Sequence, residues 1–316
     1  MQVTDVAVPA LKTSDLTHRY GERVALDRVS LQVMSREIFG LLGPNGGGKT
    51  TLFRILSTLV RPTSGSASIL GLDLLRDTDA LRSRLGVVFQ APSLDKKLKV
   101  HENLRHQGRL YGMAGAALRE RIEHLLLEFN LRDRRNDLVE TLSGGLQRRV
   151  EIAKSLLHSP ELLLLDEPST GLDPGARIDL WQTLYRLRDQ QAVSILLTTH
   201  LMEEAERCDR VAIIDQGRIV ASGAPEQLRA EIGGDIVSAR SRDATSLGER
   251  IARSFDVKVN VLNDEVRIEQ PEGSAFITRL VEAFPGEIDS VTFAKPTLED
   301  VFIARTGRRL SEGDKA

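Results

Sequence analysis

Short, mostly apolar runs recur in polar surroundings along the first two thirds of the chain, at residues 38–42, 87–89, 162–165 and 193–198. A run that is apolar at consecutive positions has no polar face, so each predicts a strand covered on both sides, as in a parallel sheet between other layers. From Leu16 to about Gly223 stretches of helical spacing separate these runs, and strand and helix in alternation predict an α/β fold with a mainly parallel sheet. Residues 92–140 carry no strand-like run. There Leu118, Ile122, Leu125, Leu126 and Phe129 share one helical face, which predicts a helical insertion. Beyond about Ala230 the pattern changes to strands near 235–239, 257–262, 266–269 and 288–293, with helices near 246–254 and 276–283. That order predicts a small, roughly ferredoxin-like α/β sandwich. Thr297 with Asp300 three residues on is a helix-start pattern. The expected organisation is a tail at 1–12, a principal unit at 13–230 with its insertion at about 92–140, and an accessory unit at 231–316.

The composition fits that organisation. With 316 residues, 41% hydrophobic and 28% charged, the chain has material for one large and one small core. Its apolar runs fall far short of the ~20 residues that cross a bilayer, so no membrane span is expected. Residues 1–10 carry no basic patch followed by an apolar run, and no secretory leader is expected. The lone Cys208 excludes an internal disulfide and a thiol metal cluster, which suits a reducing cytoplasm. A formal net charge of -2 lacks the basic excess of nucleic-acid binders, so no nucleic-acid partner is expected.

The chemistry begins at Gly43-Pro44-Asn45-Gly46-Gly47-Gly48-Lys49-Thr50, which follows the apolar run at 38–42 and precedes a helical stretch at 51–59. Strand, glycine-rich loop and helix in that order form the context of a phosphate-binding loop. The glycines let backbone N–H groups approach phosphate oxygens, and the helix start adds about half a positive charge aimed at the same anion. Lys49 supplies a full charge for the β and γ phosphates of ATP, and the Thr50 hydroxyl is a candidate Mg²⁺ ligand.

Four leucines at 162–165 end in Asp166-Glu167-Pro168, so two acids emerge at the carboxyl end of a buried strand, where open α/β sheets bind ligands. Asp166 is the candidate Mg²⁺ partner. Glu167, expected on the opposite side of the strand, is the candidate that polarises an attacking water. His200 ends the next apolar run, where contact with the γ phosphate is expected. Gln90 ends the run at 87–89 and, as a neutral donor and acceptor, suits contact with the metal or the water.

A second anion-binding pattern follows the insertion. Leu142-Ser143-Gly144-Gly145 precedes an apolar-periodic helix expected at 146–157, exposing backbone donors at its start. With these six motifs in this order, the loop from Gly43 to Thr50, Gln90, Leu142 to Gly145, Leu162 to Glu167, Ser169 to Asp173 and His200, the chain resembles the ABC ATPases over about 200 residues. The resemblance implies a P-loop NTPase core with a helical subdomain, and nucleotide contacts from Tyr20, Gly43, Pro44, Asn45, Gly46, Gly47, Gly48, Lys49, Thr50 and Thr51. It further implies that Ser143, Gly144 and Gly145 serve the nucleotide of a second subunit, most simply in a homodimer. Tyr20 matches the aromatic residue that stacks on adenine in that family.

Leu146 departs from the glutamine most common in the family, and Gly47 stands where many relatives carry alanine. The ending Lys295-Pro296-Thr297-Leu298-Glu299-Asp300-Val301-Phe302, with Thr306-Gly307-Arg308, is similar to the daunorubicin-resistance branch that serves ABC-2 type exporters. Membership there implies ATP-driven efflux of a drug, antibiotic or other amphiphile. It also implies a separate membrane permease that docks near residues 90–98 and holds the chain at the cytoplasmic face of the membrane. The competing readings are a soluble ABC ATPase without a transporter and a P-loop kinase. The kinase reading leaves Ser143 to Gly145 and His200 without a task.

Overall fold

The computed structural model describes residues 9–310; the rest of the expected tail and of the C-terminus lie outside the described residues. The strand Pro9–Tyr20 starts within the segment assigned to the tail. The central sheet has six strands, ordered Arg218–Gly223, Arg210–Asp215, Ile38–Leu42, Ser194–Thr199, Leu162–Asp166 and Leu85–Val88. All neighbours run parallel except the edge hairpin that pairs Arg218–Gly223 with Arg210–Asp215.

The side-chain period of two explains why these runs carry apolar residues at consecutive positions. Leu163, Leu165, Ile195 and Leu197 enter one core, while Leu162, Leu164 and Leu196 enter the core on the other face. On that second face lie the helix Lys49–Leu56, through Leu52, Phe53 and Ile55, and residues of a separate antiparallel sheet. This second sheet has five strands, Arg23–Val29, Pro9–Tyr20, Ser64–Ile69 and Leu72–Asp73 in order, with Gln32–Met34 also paired to Pro9–Tyr20. A single mainly parallel sheet was the expectation from the sequence. The antiparallel layer escapes that reading because its strands alternate buried and exposed positions and carry serines, as in Ser64–Ile69.

The helices Val100–Leu110 and Gly115–Glu128 fill the insertion, with Leu118, Ile122, Leu125, Leu126 and Phe129 buried in the first core. The helix after the phosphate-loop motif is Lys49–Leu56, starting at its lysine and ending three residues earlier than expected, because Thr58 takes φ 63°. The helix after the second anion motif is Gly144–Ser155, drawn two residues forward by the Ser143 cap.

The C-terminal sheet is wholly antiparallel, ordered Val259–Leu262, Glu265–Gln270, Asp235–Arg240, Ser290–Ala294, with the helices Ala244–Phe255 and Gly273–Ala283. The strand-helix-strand-strand-helix-strand order and this pairing make it ferredoxin-like. It has its own core, which includes Val237, Ile251, Val266, Phe276 and Leu280. The last helix, Leu298–Thr306, is capped by Thr297 with Asp300 reciprocating. Its Leu298, Val301 and Phe302 join not that core but the one holding Val211, Ile213 and Leu228 of the principal unit. Among the described residues no helix is long and apolar enough to cross a membrane.

Phe302 is fully buried in a core that also holds Trp181, the single tryptophan. Phe302→Ala is expected to cost about 3–5 kcal/mol of stability, read as an earlier denaturant midpoint in Trp181 fluorescence. An unmoved midpoint would show that the last helix is not part of that core.

Candidate functional site

Sheet register builds the site. Leu42 pairs with Thr199 and Asp166 with Thr198, so neighbouring parallel strands release their chains at one level. Everything polar that follows is delivered to the same edge.

From Leu42 the chain turns through the glycine loop. A Cβ on Gly43 would lie 2.3 Å from the carbonyl oxygen of Ile214, so only glycine fits against the neighbouring strand. The Gly43 N–H donates to the Thr199 carbonyl at 3.2 Å, and the Gly47 N–H donates to Pro44 O at 3.1 Å. Gly48 caps the helix at φ 112°, and the helix has no acidic residue in its first turn. Those two N–H groups are spent within the fold, and what the loop offers an anion is the uncancelled N-terminus of the helix Lys49–Leu56. Lys49 is buried and its Nζ donates to Gly43 O at 2.8 Å and Pro44 O at 3.1 Å, across the loop it would serve.

Glu167 is the hub of the polar cluster. Lys49 Nζ lies 3.6 Å from its Oε1, and His200 Nδ1 lies 3.3 Å from the same oxygen. Gln90 Nε2 donates to Oε2 at 3.1 Å, and the Thr170 hydroxyl donates there at 3.2 Å. The expected placement on the opposite side of the strand is corrected: the strand ends at Asp166, and Glu167 takes φ 45°, which breaks the strand alternation. The turn brings its carboxylate to Lys49. Asp166 is buried, and its carboxyl is pushed up from the usual range by that burial, while a 2.6 Å hydrogen bond from the Thr198 hydroxyl works the other way.

A cleft of about 370 Å³ opens over the loop, lined by Tyr20, Pro44, Asn45, Gly46, Gly48, Lys49, Thr50, Thr51 and also Arg23, Gln216 and Gly217. Tyr20 stands half exposed at its rim, its ring edge-on to His18 with centroids 4.5 Å apart. The structure thus gathers Lys49, Gln90, Glu167 and His200 in one cluster, with Asp166 beside it and Thr50 in the adjoining cleft.

Ser143, Gly144 and Gly145 are not brought to this cleft. Ser143 and Gly144 are exposed, Ser143 accepts the Leu146 N–H at 3.4 Å, and Gly145 lies against Ala176, where a Cβ would come within 2.7 Å. Leu146 packs partly buried against the core, so its apolar character suits its surroundings here. Gln147 is turned inward, donating to Val139 O at 3.2 Å and Leu142 O at 3.0 Å.

A family model described as "ABC transporter" matches residues 26–170. The chain is 38% identical over 315 residues to daunorubicin resistance ATP-binding protein DrrA3 of Streptomyces coeruleorubidus, covering 97% of this chain and 99% of that protein. It is also 38% identical over 308 residues to the Nod factor export ATP-binding protein I of Cupriavidus metallidurans, covering 96% and 99%. Among solved structures it is similar to an ATP binding subunit of an ABC transporter, with TM-score 0.64, 32% identity, and 71% of this chain and 93% of that chain covered. A dimeric ATP-binding cassette in a post-hydrolysis state with ADP and Pi gives TM-score 0.62 and 28% identity, with 68% and 98% covered.

Sequence reasoning passed over Thr198, Arg148 and the turn at Gln216-Gly217. Thr198 sits inside an apolar run and reads as strand, yet its hydroxyl also accepts the Glu167 N–H at 3.0 Å. Arg148 follows the second anion motif, but nothing in the sequence shows that its guanidinium reaches Phe89 O at 3.1 Å and Glu151 Oε2 at 2.9 Å. Thr198→Val keeps the shape and leaves the Asp166 carboxylate and the Glu167 N–H without that partner. The expected cost is about 1–3 kcal/mol for each group. The hydroxyl favours the charged acid, so its loss lifts the Asp166 pKa further. The stability deficit should then be larger at neutral pH than in acid, where Asp166 is protonated. Denaturant titration across that range checks both size and sign.

Proposed function

We propose, because this chain belongs to the ABC transporter family of ATP-binding subunits, that it is the ATPase motor of an ABC-2 type exporter and drives efflux of a drug, antibiotic or other amphiphile through a separate permease. The relatives' names support the export reading, since both name resistance or export functions and match nearly the full length of the chain. The observation that carries the hydrolytic part is the meeting of Lys49, Gln90 and His200 on the Glu167 carboxylate, at the mouth of the glycine loop.

In this reading the start of the helix Lys49–Leu56 and the Lys49 ammonium hold the β and γ phosphates of ATP, and Tyr20 at the rim stacks on the base. Glu167 orients and polarises the attacking water. His200 Nδ1 has no aligned hydrogen-bond partner despite its closeness to Glu167, and a phosphate oxygen would satisfy it. Gln90 and Thr170 fix the other carboxylate oxygen, so Glu167 presents one oxygen in a set direction. The donor chemistry fits Mg²⁺, because the Thr50 hydroxyl and Asp166 carboxylate are hard oxygen ligands. When bound, that ion would supply neutralisation of phosphate charge, and Thr50 and Asp166, with Gln90 beside them, would hold it.

The exposed start of the helix Gly144–Ser155 supports a head-to-tail pair of copies, in which Ser143 to Gly145 of one meet the nucleotide on the loop of the other. Losing the γ phosphate then removes contacts that span the interface, and the chemical step becomes a motion passed to the permease, docked near residues 90–98 at the cytoplasmic face of the membrane.

Glu167→Gln is expected to keep ATP affinity within about threefold, to lower turnover at least about 100-fold, and to trap an ATP-dependent dimer visible by size-exclusion chromatography. Lys49→Ala in the same assay should lose tight ATP binding. Wild-type turnover in the glutamine variant would remove Glu167 from the chemistry, and an ATP-loaded monomer would remove the shared site.

A further inference from the structure

The residues that follow the helix Leu298–Thr306 reach back to a turn beside the glycine loop. Gly307 closes the helix Leu298–Thr306 in the left-handed region at φ 74°, and this reversal turns Arg308 toward the central sheet. There its guanidinium pairs with the buried carboxylate of Asp215, the last residue of the strand Arg210–Asp215. Asp215 opens the two-residue turn Gln216-Gly217, whose residues take φ 48° and 76°. Two successive positive φ values make a tight hairpin turn of fixed shape.

This turn is wedged against the phosphate loop. The Gly217 N–H donates to the Gly47 carbonyl at 2.9 Å, and the Gly217 carbonyl accepts the Asp27 N–H at 2.9 Å. Arg218 pins the far side through Asp27 Oδ2 at 2.8 Å. The bond to Gly47 O has a direct consequence for the site. The carbonyl of Gly47 and the N–H of Gly48 belong to one planar trans peptide, so holding the oxygen toward Gly217 aims the Gly48 N–H the opposite way. Gly48 lines the nucleotide cleft, as do Gln216 and Gly217.

We propose that Arg308 is a positioning residue for nucleotide binding: by holding Asp215 it sets the Gln216-Gly217 turn, which fixes the Gly47–Gly48 peptide plane in the phosphate loop. The accessory unit thus tunes the affinity of the principal one through an ion pair, a turn and one backbone hydrogen bond, and Arg308 itself does not touch the nucleotide. The inference rests on the reading of the glycine loop as the ATP site.

The test is ATP binding by the full-length chain, measured with a fluorescent ATP analogue, alongside thermal unfolding without nucleotide. Arg308→Gln and Asp215→Asn should each raise the dissociation constant about three- to thirtyfold, and the double variant should raise it no more than either alone. Arg308→Lys, which keeps the charge, should recover part of the loss. Arg305→Gln is the control, since Arg305 anchors the same helix to Glu231 at 2.5 Å but does not reach the turn. It should lower the melting temperature at most, with the dissociation constant unchanged. Wild-type affinity in Arg308→Gln or Asp215→Asn overturns the proposal, as does an equal loss in Arg305→Gln, which would mean general loosening of the accessory unit. Should the wild-type chain itself fail to bind the analogue, the reading of the glycine loop falls instead.

Discussion

A parallel sheet buried on both faces has nowhere to place polar groups except the ends of its strands, and its register decides which ends are level. In this chain the pairings Leu42 with Thr199 and Asp166 with Thr198 put the glycine loop, the two acids and His200 at one edge. No side chain of the cluster is held by its neighbours in sequence alone. They meet only because strands far apart in sequence pair in space, and the site exists only while both cores keep the sheet in place.

Within that edge the buried charges are managed by mutual compensation. Lys49 has two loop carbonyls and the Glu167 carboxylate within reach, Asp166 has the Thr198 hydroxyl, and Arg148 has Glu151 and the Phe89 carbonyl. A buried charge without such partners costs several kcal/mol, so satisfied networks of this kind keep side chains in set directions. Groups held in this way suit the proposed chemistry, because donors fixed in advance need not reorganise when charge develops on a phosphate.

The accessory unit is less separate than its composition suggests. Its sheet and two helices own a core, but the helix Leu298–Thr306 is built into the principal core and carries Arg308 to the turn beside the phosphate loop. Chain order assigns that helix to the C-terminal unit, whereas packing assigns it to the ATPase. The boundary between the two units is therefore crossed twice, once by the chain at about residue 230 and once by this returning helix.

Local pattern was enough to read the elements that make the family recognisable. Consecutive apolar residues marked the strands at 38–42 and 162–165, and the spacing of glycines before Lys49 and Thr50 marked the loop between strand and helix. These were legible because both are contiguous signals: a strand buried on both faces needs an unbroken apolar run, and a loop that wraps an anion needs its small residues in succession. The antiparallel layer, the position of Glu167 at φ 45°, the bracing of Asp166 by Thr198, and the path from Arg308 to Gly47 were not legible. Each depends on which distant residues share a surface, and that is fixed by packing and register, which a periodicity read along one stretch of chain does not contain.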